Sequence, residues 1–403
     1  MPYPPTTQQH LFLFDIDSVL VEALGYLHAL QDTVRHFAQR MGMGNHAPTA
    51  DEIRAGEAFG LTSEWDSAPT YIAALLIERL RYSTAPILPN HWEGALKTLA
   101  AHPQEIPHPD YTALVTRIGT QLQTRKNTAA QAAHEVLEES AGDLPQPQRI
   151  PISALLEALF NHTHDFAKAP ITKHFQHLVI GSHRIRDTYG VDPTFDAPPY
   201  LRDHDLPLLN AQTRNRLLAQ METGGLRLAL YTARPSLPPC DVEATQRGYS
   251  PEAEMARSLV GLESQPLIGL GRLQWLAKQV NVDVEALVKP SPVQALAAIG
   301  AAFAGQEASA LKAAWALRQN NSLMPPLSGL DAATVHVFED SGGGLQAVKH
   351  AIEQLNAAGK NIHYRPYGIT PETGAKATVM DKLGVQTYPT INDAIVAALA
   401  SRQ

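Results

Sequence analysis

A small set of polar residues stands just beyond short apolar runs, where buried strands would deliver them to one edge of a sheet. HLFLF (10–14) ends in Asp15-Ile16-Asp17, and LRLALY (226–231) ends in Thr232. Ala286-Leu287-Val288 ends in Lys289, which leads through Pro290 and Pro292 into a helical stretch. TVHVF (334–338) ends in Glu339-Asp340-Ser341. In an open parallel sheet, ligands bind outside the carboxyl ends of the strands, so these residues are the ones able to act together. Carboxylates with one hydroxyl and one ammonium suit phosphoryl transfer. A carboxylate attacks phosphorus only when the phosphate charge is neutralised, which Mg²⁺ and a lysine do together. Mg²⁺ takes one or two carboxylates plus waters and a phosphate oxygen, a demand that Asp15 and Asp340 meet. A mixed anhydride on an aspartate divides one hard displacement into two easier ones. A second carboxylate two residues along, Asp17, has the position to protonate the leaving oxygen and then deprotonate water.

Taken singly, each residue has a plainer reading. Thr232 suits a strand-end turn, Lys289 a solvated surface, and Glu339-Asp340 the N-terminus of the following helix. Their shared placement, each at a strand end in turn, carries the functional reading. Arg234, two past Thr232, is a candidate contact for substrate or leaving group. Trp65 and Asp66 either line a substrate pocket or belong to a core. Gly269-x-Gly271 follows a short strand, but Gln274 stands where a third glycine of a dinucleotide site belongs and no P-loop lysine follows. Gly342-Gly343-Gly344 reads as a mobile turn into a helix. His162, His164, His174, His177 and His183 match no zinc spacing and read as a packed or solvated patch. Cys240 has no His/Asn framework around it.

The elements that position these residues fall into two kinds. His10–Asp15 reads as a buried parallel strand. From about Val21 to Gly190 the pattern is helical, with Leu24, Leu27, Leu30, Val34 and Phe37 on one stripe of a helix over 22–41. Thr49 and Glu52 form a capping-box start, and 71–80, 129–139 and 152–160 predict further helices. DPTFDAPP (192–199) reads as a turn-rich linker. Beyond it, helices over 206–223, 252–262, 273–280, 291–303, 345–358 and 392–400 alternate with strands over 226–231, 265–269, 334–338, 363–369 and 387–388. Alternation predicts an α/β fold with a parallel sheet covered on both faces. The expected organisation is a discontinuous core, residues 1–22 and 206–403, with a helical domain over 23–205 inserted after the first strand.

Bulk properties set the class. The chain has 403 residues, a formal charge of −8 and no lysine/arginine run, which argues against nucleic acid as a partner. One cysteine excludes an internal disulfide and favours a reducing compartment. The first ten residues, MPYPPTTQQH, lack the basic and apolar regions of a secretory signal. No apolar run reaches the roughly 20 residues of a membrane span. The expectation is a cytoplasmic protein that does not use a membrane.

FDIDSVLV (14–21) resembles motif I of the haloacid-dehalogenase (HAD) superfamily, and LALYTARP (228–235) resembles motif II. LVKPSPVQALAAIG (287–300) is similar to motif III of the sugar-phosphatase and phosphoglycolate-phosphatase branch. VFEDSGGGLQAVKHA (337–351) is similar to its motif IV, and YGIT with ATVMDKLGVQTYPTINDAI to the segment that closes its sheet. The resemblance covers 10–22 and about 206–403. It implies a Rossmann-like core with a large inserted all-helical C1 cap, and a Mg²⁺-dependent phosphatase acting on a small phosphorylated metabolite. Position by position, it implies Asp15 as nucleophile and Mg²⁺ ligand. Asp17 would be the general acid/base, with its backbone carbonyl on the metal. Thr232 and the Ala233 amide would hold phosphoryl oxygens, and Lys289 would neutralise nucleophile and phosphate. Asp340 would be a Mg²⁺ ligand, with Glu339 at the metal or a metal-bound water. The chain departs from the family in Ser18, where glycine is usual, in Glu22, where Asp or Asn is common, and in a longer cap. LTSEWDS (61–67) and FQHLVIGSHRIRDTYG (175–190) resemble the cap loop and last cap helix of an uncharacterised subgroup.

Three readings follow. The first is the phosphatase, with the cap closing over a small substrate. The second is a phosphomutase of the β-phosphoglucomutase type, which would need a bisphosphorylated activator. The third is a binding protein that keeps the fold without turnover, for which a large cap would serve a protein partner. Asp17 argues against a dehalogenase, which does without that carboxylate.

Overall fold

The computed structural model describes residues 9–82, 86–125, 127–370 and 375–402; most of the N-terminal leader therefore lies outside the described residues. The architecture is α/β, with a six-stranded parallel sheet flanked by helices. The strands are β1 (Gln9–Phe14), β2 (Val21–Glu22), β3 (Leu206–Pro207), β4 (Leu226–Tyr231), β5 (Leu267–Ile268), β6 (Ala332–Glu339), β7 (Asn361–Ile369) and β8 (Thr387–Tyr388). The main sheet runs β5-β4-β1-β6-β7-β8, and β2 pairs antiparallel with β3 in a separate two-stranded ribbon. The order reverses beside β1, which places the central strand's carboxyl end at the crevice where parallel sheets bind ligands.

The sheet is covered on both faces because side chains along each strand alternate between them. Leu11, Leu13, Ala229, Tyr231, Val335 and Val337 enter one core with the helices Pro292–Ala304 and Gly342–Ala357. Phe12, Phe14, Leu228, Leu230 and Phe338 enter the other, with the helices Glu252–Leu259 and Ile391–Ala400. The central strands are thus buried on both sides, which is why they read as continuous apolar runs.

The chain divides into two compact units, Met1–Ala23 with Asp205–Gln403, and Leu24–His204. The second is built of helices among its described residues. Its ends meet: a Cβ on Gly25 would lie 2.8 Å from the Leu201 backbone, so only glycine allows the approach. Thr49 and Glu52 make the expected capping box on the helix Ala50–Ala58. The DPTFDAPP segment is not the boundary between units. It packs within the helical unit, where Ser182 Oγ donates to Phe195 O and Phe195 stacks on His174 and His177.

Several element limits differ from expectation. The helix expected over 206–223 begins only at Ala211, capped by Asn210, because Leu206–Pro207 is a strand of the ribbon. The expected strand over 265–269 shrinks to β5. Helices Trp92–Ala100, Tyr111–Thr124 and Glu307–Asn320 have no counterpart in the sequence reading, and the single helix expected over 175–190 is two, Pro170–Ile180 and Ser182–Tyr189, divided at Gly181. The helix Glu64–Arg81 carries Pro69 at its sixth position, beyond the N-terminal residues whose N–H groups lack a helical partner, so the helix goes without one internal hydrogen bond there. Among the described residues no helix is long and apolar enough to cross a membrane.

Candidate active site

The strand register assembles the site. β1 pairs with β6 so that Phe14 faces Phe338, and the Asp15 amide donates to Phe338 O at 3.0 Å. Asp15 and Glu339 therefore leave their strands side by side. Lys289 Nζ bridges them, 3.0 Å from Asp15 Oδ1 and 2.7 Å from Glu339 Oε1. The ammonium also lies over the Tyr231 ring, 4.6 Å from its centroid.

Glu339 is wholly buried, and both of its oxygens are engaged. Oε1 accepts from Lys289 and from the Tyr231 hydroxyl at 3.2 Å. Oε2 accepts the Asp340 and Ser341 amides, each at 3.1 Å, and the Ser341 hydroxyl at 2.9 Å. Ser341 in turn caps the helix Gly342–Ala357 by accepting the Gly344 amide. The glycine run is therefore the first turn of that helix rather than a turn before it. Its purpose is close approach: a Cβ on Gly344 would stand 1.6 Å from Glu339 Oε1.

Among the described residues, Asp15, Glu339 and Asp340 form a carboxylate group able to share one ion, with ligand atoms within 4.8 Å of one another. Burial pushes the Asp15 carboxyl well above the ordinary range, and Glu339 adds to the effect while Lys289 opposes it. Burial likewise raises Asp340, against the pull of Lys376, which pairs with its Oδ2. Lys289 shifts upward: burial alone would lower it, but Asp15 and Glu339 outweigh that. Buried carboxylates outnumbering their ammonium partners make a locale that a divalent cation neutralises. The donor set fits Mg²⁺ through Asp15 and Asp340, since the oxygens of Glu339 already have protein donors.

Thr232 follows β4 and is buried, its amide donating to Ile268 O at 3.1 Å and its Oγ1 accepting the Arg234 amide at 3.1 Å. Gln294 secures this corner. Its side-chain nitrogen donates to the carbonyls of Thr232 and Ile268, and its oxygen accepts the Lys289 amide. Ala233 is exposed between its buried neighbours. Arg234, a candidate contact for substrate or leaving group, turns its guanidinium to two carboxylates. Nε and Nη2 reach Asp17 Oδ1 at 2.8 and 2.6 Å, and Nη1 reaches Asp205 Oδ2 at 3.0 Å.

Trp65 and Asp66 lie in the helical unit. The Trp65 indole donates to Gln176 Oε1 at 3.1 Å. Asp66 is buried, and its Oδ1 accepts the Thr163 hydroxyl at 2.9 Å and lies 3.0 Å from His164 Nε2. The histidine patch is packed in part: His174 stacks on His36 at 4.0 Å, and His177 accepts the Thr194 amide at Nε2. Gly271 serves packing, since a Cβ there would meet Ser236 O at 1.7 Å. Cys240 is a free, exposed cysteine.

Sequence reasoning passed over Tyr231, Gln294, Asp205 and Lys376. Tyr231 was read only as strand, though its place before Thr232 put it at the same edge. Nothing local marked Gln294 or Asp205, whose roles depend on partners far along the chain.

No family model and no curated protein matches this sequence. Among solved structures, the chain is similar to the X-ray structure of Northeast Structural Genomics Consortium target ZR25, at TM-score 0.60 and 13% identity. That likeness covers 98% of this chain and 100% of that one, and at such identity it speaks for the fold alone. A much slighter likeness, TM-score 0.39 at 13% identity, is to phosphatase Tt82 from Thermococcus thioreducens, over 88% of this chain and 91% of that one.

Proposed function

We propose that this chain is a Mg²⁺-dependent phosphatase of small phosphorylated metabolites, working through an aspartyl-phosphate on Asp15. The observation that carries the reading is the buried Asp15 carboxylate, held at one oxygen by Lys289 and set beside Glu339 and Asp340 at the carboxyl ends of β1 and β6. Mg²⁺, when bound through Asp15 and Asp340, supplies positive charge to the phosphate oxygens. With Oδ1 held by Lys289, the second oxygen of Asp15 is the one to attack phosphorus. The new bond joins that oxygen to phosphorus, and the ester bond to the leaving oxygen breaks as Asp17 gives it a proton. Asp17 then takes a proton from water, whose oxygen attacks phosphorus, releasing inorganic phosphate and restoring Asp15. Thr232 and the Ala233 amide hold phosphoryl oxygens, and Lys289 offsets the charge that collects.

The test is phosphate release from a metabolite panel by the wild-type chain and Asp15→Asn, with Mg²⁺ and with EDTA. Activity that needs Mg²⁺ and falls at least about 10³-fold in the variant supports the reading. Activity that survives in Asp15→Asn sinks it.

A further inference from the structure

We infer that Arg234 and Asp205 are positioning residues for Asp17, fixing the plane of the carboxylate that transfers protons in the reaction proposed above. A solvent-reaching aspartate at a strand end rotates freely about two bonds unless something holds it, and the Asp17 side chain is 39% exposed. Arg234 supplies the hold. Two of its donors converge on Asp17 Oδ1 at 2.6 and 2.8 Å, while Nε reaches Oδ2 at the longer distance of 3.1 Å. The planar fork defines the carboxylate plane in a way an ammonium does not. It also leaves Oδ2 as the oxygen less engaged and better able to exchange a proton with the ester or water.

The guanidinium is itself fixed at both ends. Its backbone is tied by the Arg234 amide to Thr232 Oγ1 and by the Arg234 carbonyl, which accepts the Leu270 amide at 3.0 Å. Its far end meets Asp205, whose side chain is fully inaccessible. Asp205 opens the second segment of the α/β unit, directly before β3, and β3 is held against β2 just beyond Asp17. Neither Arg234 nor Asp205 need touch the phosphate, so both would act on the proton-transfer step through Asp17. That inference rests on the phosphatase reading and makes a demand the reading alone does not. Loss of the pair should matter in proportion to how badly the leaving oxygen needs a proton.

The experiment compares kcat/KM, which reports the steps through ester cleavage, for p-nitrophenyl phosphate and n-butyl phosphate at saturating Mg²⁺. The variants are Arg234→Lys and Asp205→Asn, with circular dichroism to check folding. For Arg234→Lys the expected result is a loss of about 100-fold on the butyl ester and under about fivefold on the nitrophenyl ester, within the range general acids contribute. Asp205→Asn should show the same selectivity with smaller losses, so that failure of one variant to fold leaves the other to decide. Equal losses on both esters in folded variants overturn the inference and leave the phosphatase reading standing. A wild-type chain inert toward both esters and toward the metabolite panel removes the reading and the inference together.

Discussion

Ser18 sits between the proposed acid/base and the ribbon, with φ of 60° and its amide donating to Val21 O at 2.8 Å. The left-handed conformation costs a non-glycine residue about 1 kcal/mol. Ser18→Gly should raise stability by up to about 1 kcal/mol, less the larger unfolded-state entropy of glycine. The urea midpoint measures this, and a clear fall would mean that the serine side chain holds something the backbone argument ignores. At the same scale, Glu339 shows why a carboxylate beside the proposed Mg²⁺ site need not be one of its ligands. Its two oxygens accept from a lysine, a tyrosine, two amides and a hydroxyl, and an unpaired buried carboxylate would be costly.

Elements act through register and close approach. The pairing of β1 with β6 brings Asp15 abreast of Glu339, and the helix Gly342–Ala357 must start almost on top of that glutamate. Gly344 makes this start fit. Gly344→Ala would place a methyl 1.6 Å from an oxygen whose hydrogen bonds resist movement. We expect destabilisation of about 1–3 kcal/mol from the forced shift, together with loss of activity. Gly343→Ala is the control: nothing lies within 4 Å of a Cβ there, so the helix should be unharmed or gain up to about 1 kcal/mol. Thermal denaturation of the two variants side by side decides the matter, and equal effects would refute the close-approach argument.

At the scale of the whole molecule, each unit carries a histidine, half-buried His174 in one and buried His336 in the other, that acid should turn against it. Burial, with His36, His177 and Arg40 adding to it, holds His174 down at about 3. Burial, His10 and the arginines at 402 and 365 do the same to His336, also to about 3. Between that value and the usual 6.5, the unfolded chain binds a proton that the folded chain refuses, so stability falls as pH falls. The contribution is complete above pH 6.5 and diminishes by at most about 1.4 kcal/mol per pH unit for each group. His174→Phe, which keeps a ring against His36 and Phe195, should flatten the decline between pH 6.5 and 5. Denaturant unfolding across that window measures it, and an unchanged slope would show that His174 is protonated in the folded chain.

Much of the core could be read from residue order because a strand buried on both faces must be apolar throughout and must end where polarity returns. HLFLF met that requirement, and LRLALY and TVHVF met it apart from the exposed Arg227 and the buried Thr334 and His336, so β1, β4 and β6 and the residues at their ends were legible. So was the parallel sheet, from its alternation with helices. Short elements were not: β5 is two residues long, and β2 and β3 exist only through each other, which is why a helix was expected to start at 206. Asp15, Asp17, Thr232, Lys289 and Asp340 could be named from local pattern as candidates, but not what surrounds them. That Arg234 faces Asp17 and Asp205, that Gln294 ties the Thr232 corner, and that Lys376 meets Asp340 are contacts between segments far apart in the chain. Charge and hydrogen-bond capacity are written in each residue; which partner receives them is decided only when packing brings the segments together.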